Sequence, residues 1–168
     1  MVTIHSSDPF ATPEHLRSPV RQMRARLAAA VTLWTAGEPR AGLTVSSTLV
    51  ADGEPGRLLG LIDDESDLWP VAEAAGRFAV TLLRPADQQL ADRFAGLLPA
   101  PGGPFQGYGW SHSDWGPIPS GHGTWIGCRL DGARPYGWNL LVEATIEHLE
   151  IGDDVPLVHH RGRYRSLS

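Results

Sequence analysis

The amino-acid sequence predicts a mainly β protein, an antiparallel barrel with short helical inserts. Three observations carry that expectation. Around six short segments are rich in Val, Ile, Leu and Thr, the composition of strands. Breaks built from Gly and Pro, such as Gly37-Glu38-Pro39 and Gly53-Glu54-Pro55-Gly56, separate neighbouring segments by the short distances that suit hairpins. The stretches with helical spacing are brief and fall in the connections, which favours helical inserts over a separate helical layer.

Taken in order, residues 1–17 carry Ser, Asp and two Pro without a period and are expected to form a flexible arm. Ser18-Pro19 reads as an N-cap followed by Pro at the first helical position, and Val20, Met23 and Leu27 then recur at helical spacing with Arg21, Arg24 and Arg26 outside them. A helix over about 19–27 is expected. A hairpin follows, from residues 30–35 to Leu43-Thr44-Val45-Ser46-Ser47-Thr48, and then a strand over 57–62. Asp63-Asp64-Glu65-Ser66-Asp67 precedes an apolar helix over 68–75 with Gly76 at its C-cap, a strand over 77–83 and a helix over about 86–94. Residues 97–123 hold Gly, Pro, Trp and His with no sustained period and read as a long loop, a candidate wall of a binding site. Strands are expected again over 124–130, 139–148 and 155–159.

The 168 residues suit one domain, with 18–168 as its body. A net charge of -5 gives no general attraction to phosphate backbones, so nucleic acid is not an expected partner. The lone Cys128 cannot form an intrachain disulfide and the N-terminus lacks a signal-peptide layout, which points to a reducing cytoplasm. No apolar run approaches the length of a membrane span.

Four blocks carry a resemblance. Gly42-Leu43-Thr44-Val45-Ser46-Ser47, then residues 76–83, then Leu90-Ala91-Asp92-Arg93-Phe94-Ala95-Gly96, and last Pro156 to Arg165 stand in the order of the flavin-reductase-like domain family, which the chain resembles over roughly 20–167. The resemblance implies an FMN-binding split β-barrel, antiparallel and Greek-key-like, assembled as a homodimer. It implies FMN, with FAD as an alternative, reduced by NAD(P)H and supplied to a partner monooxygenase. It assigns flavin contacts to Thr44, Val45, Ser46, Ser47, Ser66, Arg93, Phe94, His160, Arg163 and Tyr164. No catalytic acid or base is implied, because the cofactor carries the hydride chemistry.

The residues suit those roles in part. Hydroxyls and backbone N–H groups at Thr44 to Ser47 can satisfy the polar edge of an isoalloxazine, and Ser66 at a helix start can meet a phosphate or serve as an ordinary N-cap. Two departures from the family pattern stand out. Four carboxylates flank Ser66, and at about 4 Å with an effective dielectric near 20 each would oppose a phosphate by up to roughly 4 kcal/mol unless Arg77, Arg93 or Arg161, Arg163 and Arg165 compensate. Where the family commonly has Gly-Asp-His, this chain reads Tyr136-Gly137-Trp138-Asn139, so Trp138 could stack on a planar ring, block the nicotinamide pocket or pack in a core or interface. These departures leave open a second reading, a repurposed barrel that binds haem, a deazaflavin or another planar ligand.

Other chemistry is poorly represented. His159 and His160 are adjacent on an expected strand and point to opposite faces, and His112, Asp114 and His122 lack the compact spacing of structural zinc, so no metal site is expected. Cys128 sits among apolar residues and is expected to be a buried, inert thiol. Trp110, Trp115 and Trp125 fit a planar-ligand pocket and a dimer interface equally well.

Overall fold

The chain, analysed as a computed structural model, is described over residues 18–167; the arm expected over 1–17 lies outside the described residues. Helix α1 (Pro19–Arg26) begins where the sequence places it, the Ser18 hydroxyl accepting the Arg21 N–H at 3.1 Å. There follow β1 (Ala29–Ala30), β2 (Thr32–Ala36), β3 (Ala41–Val45), β4 (Thr48–Ala51), β5 (Arg57–Ile62), α2 (Leu68–Ala75) and β6 (Arg77–Leu82). A 3-10 turn (Pro85–Asp87) leads into α3 (Gln88–Phe94), and then come β7 (Trp110–Ser111), β8 (Ile118–Pro119), β9 (Trp125–Tyr136), β10 (Asn139–Glu150), β11 (Leu157–His160) and β12 (Arg163–Ser166). Gly76 ends α2 in the left-handed conformation, φ 71°, as its C-cap position requires.

Seven strands make one antiparallel sheet in the order β3-β2-β6-β9-β10-β5-β4. Its two edge strands, β3 and β4, are joined by Ser46 and Ser47 alone, and so short a link forces the sheet to curl until its edges meet. Side chains close the seam. Thr32 Oγ1 donates to Val45 O at 2.7 Å, which leaves the Thr48 hydroxyl to donate to Thr32 Oγ1 (2.9 Å) while accepting from Trp34 Nε1 (3.1 Å). Leu43 to Thr48, expected as one strand, is therefore two: the chain leaves one sheet edge at Val45 and joins the other at Thr48.

Two cores flank β2, which explains why every one of its residues is buried. Inside the curl, Trp34 stacks on Phe78 (ring centroids 4.7 Å apart, 15° between planes) among Leu58, Ile62, Leu68 and Val142. Outside it, Leu33 joins Val31, Leu83, Leu90, Phe94 and Leu157 beneath α3.

Three other expectations change. The 97–123 stretch, read as unstructured, contains the β7–β8 hairpin and is fastened to the barrel: Thr35 Oγ1 donates to Pro117 O at 2.7 Å, and Trp115 covers Gly127, where a Cβ would lie 2.3 Å from the indole. The strand expected over 155–159 is a hairpin, β11–β12, whose turn places both Arg161 (φ 53°) and Gly162 (φ 77°) in the left-handed region. An arginine there hides the turn, since Asn or Gly is the usual signal. Finally, the Val20, Met23 and Leu27 stripe of α1 is exposed, and no residue of that helix is buried. Among the described residues no helix is long and apolar enough to cross a membrane.

Candidate functional site

Strand registers bring several of the expected residues to one end of the barrel. Thr32 pairs with Val45, Thr48 with Gly60 and Leu140 with Ile62, so this end holds the Ser46-Ser47 link, the acidic turn that follows Ile62, and the β9–β10 hairpin tip. Ser46 is exposed and its side chain makes no hydrogen bond to a described residue, whereas Ser47 Oγ donates to Leu61 O at 2.7 Å. Val45 is buried in the barrel core, so only its backbone is placed to meet a ligand at this end.

The acidic turn is folded by its own first carboxylate, Asp63 Oδ1 accepting the Glu65 N–H at 2.9 Å, while Asp63 O accepts the Ser66 N–H at 3.2 Å. Ser66 Oγ is buried and has no hydrogen-bond partner among the described residues. Asp67 occupies the N-cap of α2 with helical φ and ψ and makes no side-chain cap, so the helix start keeps uncapped N–H groups. Unclaimed donors and a positive helix end fit an anionic group such as a flavin phosphate. Asp64, Glu65 and Asp67 oppose it, but all three are solvent-exposed, and screening reduces the opposition to well below its value in a buried site.

Helix α3 gathers a second group. Thr44 Oγ1 donates to Ala91 O at 2.7 Å, and Tyr164 OH donates to Asp92 Oδ1 at 2.6 Å, so the helix is pinned between β3 and β12. Burial and then the Asp92 carboxylate raise the Tyr164 phenol well above its usual range, and it remains a proton donor. Arg93 Nη1 donates to the carbonyls of Pro104 and Gln106, and its guanidinium lies 5.0 Å from the Tyr108 ring centroid, so it braces the loop after α3. Phe94 is buried, edge-on to Phe105 (4.9 Å) and Trp110 (5.8 Å). His160 and Arg163 face each other across β11–β12, the arginine exposed.

Trp138 sits at the β9–β10 tip and is 88% exposed, so it is not a core residue of the protomer. The tryptophans of the long loop have structural partners instead: Trp110 Nε1 donates to Phe105 O, Trp115 stacks on His148 at 5.1 Å, and Trp125 is buried with its Nε1 donating to Glu150. That loop does wall a cleft of about 420 Å³ with Gly37, Arg40, Ala75 and Arg77, at the opposite end of the barrel from Ser46. Sequence spacing missed one buried cluster. His122 Nε2 lies 2.7 Å from Asp87 Oδ2, which also takes Arg84 Nε at 3.2 Å.

Comparison with known proteins adds the family. The model of the flavin reductase like domain matches residues 23–168. An FMN reductase (NADH) of Methylorubrum extorquens is 32% identical over 172 residues, covering 96% of this chain and 94% of its own. The reductase component of 4-hydroxyphenylacetate 3-monooxygenase from Thermus thermophilus is 29% identical over 155 residues, 90% of this chain and 97% of its own. Among solved structures, a nitrilotriacetate monooxygenase component B homologue from Mycobacterium thermoresistibile superposes with a TM-score of 0.79 at 26% identity, over 89% of this chain and 85% of that one.

Proposed function

The chain belongs to the flavin reductase like domain family, and from that premise we propose that it is an NAD(P)H-dependent flavin reductase that takes FMN or FAD at the Ser46-Ser47-Ser66 end of its barrel and supplies reduced flavin to a partner monooxygenase. The observation that carries the site is the buried Ser66 Oγ, which has no hydrogen-bond partner among the described residues and stands beside the uncapped start of α2. A flavin held there would supply the two-electron redox chemistry, with NAD(P)H as the reductant. The protein binds and orients. Ser46 and the backbone of the Val45 to Ser47 link address the polar edge of the ring, and Ser66 with the α2 N–H groups holds the phosphate. Thr44, Arg93, Phe94 and Tyr164 fix α3 as one flank, on which His160 and Arg163 border the opening.

Residues 18–168 act as one split-barrel domain, and the active assembly is a homodimer. Support for the dimer comes from β4, whose outer edge pairs with no strand among the described residues and on which, beyond the seam at Thr48, Leu49 and Val50 are exposed above a groove shared with Pro55 and Leu59. A single buried thiol suits a reducing cytoplasm. The test is direct: purified protein is titrated with FMN and then given NADH. Flavin uptake with NADH oxidation is expected; neither flavin binding nor NADH consumption would sink the reading.

A further inference from the structure

We propose that the face formed by α1 and the β11–β12 hairpin is a docking surface for an acidic protein partner; that this partner is the oxygenase receiving the flavin rests on the function proposed above. Six arginines, 21, 24, 26, 161, 163 and 165, belong to these elements. The two elements are tied together by the Arg161 N–H donating to Ala25 O at 2.7 Å. Along β12, Arg163 and Arg165 are exposed while Tyr164 turns inward to Asp92. None of the six forms an ion pair with a described carboxylate, although the chain as a whole carries a net charge of -5. Positive charge is thus gathered on these two elements without an ion pair to any described carboxylate, the arrangement that steers an oppositely charged partner.

The same face is apolar as well as basic. Val20, Met23 and Leu27 are 80%, 58% and 61% exposed, and α1 buries nothing. A helix of eight residues has little stability of its own, so burial of its apolar stripe by a partner would complete it. Arginine and methionine beside aliphatic side chains, with no lysine anywhere in the chain, is the composition of a protein interface. A second copy meeting this face about a two-fold axis would set arginines against arginines, so self-association is better served by β4. Nucleic acid is disfavoured by the overall negative charge. The face also lies at the flavin end, because Ala29 of β1 pairs with His159 of β11 directly before β2 enters the sheet at Thr32.

The test uses the full chain and the triple variant Arg21→Glu, Arg24→Glu, Arg26→Glu, whose side chains touch neither core and whose new residues keep similar helix propensity. The probe is a labelled helical peptide with glutamates on one face and leucines on the other. Binding to the unaltered chain should weaken steeply with salt and fall by about tenfold or more in the variant, with FMN affinity and NADH oxidation unchanged. The proposal is overturned if the peptide ignores the substitutions, or if duplex DNA of matched charge binds equally well. It is overturned too if the variant alters the oligomeric mass, which would make the occupant a second copy, or weakens FMN, which would assign these arginines to the flavin site. Failure of the function proposed above is seen separately, as an unaltered chain that binds the peptide but neither binds FMN nor oxidises NADH.

Discussion

Asp87 and His122, thirty-five positions apart, meet at 2.7 Å and join the turn before α3 to the end of the long loop. Both side chains are almost completely buried. Burial alone would raise the Asp87 carboxyl, yet the hydrogen bonds from His122 and Arg84 outweigh it and bring it down from 3.8 to about 2.

A carboxyl whose folded value lies below its unfolded value adds stability that is fully present above the unfolded value and is lost as pH falls through the folded one. The pair should therefore contribute about 2 kcal/mol at neutral pH, lost between about pH 4 and pH 2. Asp87→Asn should lower stability by a similar amount at neutral pH and flatten the acid limb. Urea unfolding across that pH range measures both; an unchanged acid limb in the variant would refute the assignment.

Ser46 and Ser47 should separate function from stability. Ser47→Ala removes the bond to Leu61 O and should cost about 1 kcal/mol of folding free energy. Ser46→Ala should leave the melting temperature unchanged and weaken FMN by a similar amount, which flavin titration reads directly.

The acidic turn makes a ligand contrast. Glu65→Ser with Asp67→Thr removes two exposed charges beside Ser66, and FMN should tighten by about 1 kcal/mol at low salt and less at high salt. Riboflavin, which has no phosphate, should not respond. Equal responses would mean that no phosphate sits at the start of α2.

Cys128 is fully buried, and burial, with Glu147 and Asp131 adding negative charge, pushes its thiol up to about 12. Iodoacetamide should leave the native protein unmodified at mildly alkaline pH and alkylate it rapidly once urea unfolds it, since only the thiolate reacts. Mass spectrometry distinguishes the two; rapid native alkylation would mean that the barrel core opens readily.

What the sequence by itself determined were the features written within a few neighbouring residues: the Ser18-Pro19 helix start, the bounds of the strand over 57–62, the helix over 68–75 with its Gly76 cap, and the mainly β class those signals add up to. Short-range periodicity, caps and turns depend on local sterics and hydrogen bonding, so local sequence carries them. Tertiary structure decided what depends on partners far apart in the chain. Ser46 and Ser47 look alike in sequence; only the curl that brings Leu61 to Ser47 commits one hydroxyl and leaves the other without a bond to any described residue. The α1 stripe reads as a buried face, but whether a neighbour arrives to bury it is not encoded in its spacing, and among the described residues none does. Asp87 and His122 became a pair only when the loop closed over the sheet, because a hydrogen bond across thirty-five residues leaves no period to read.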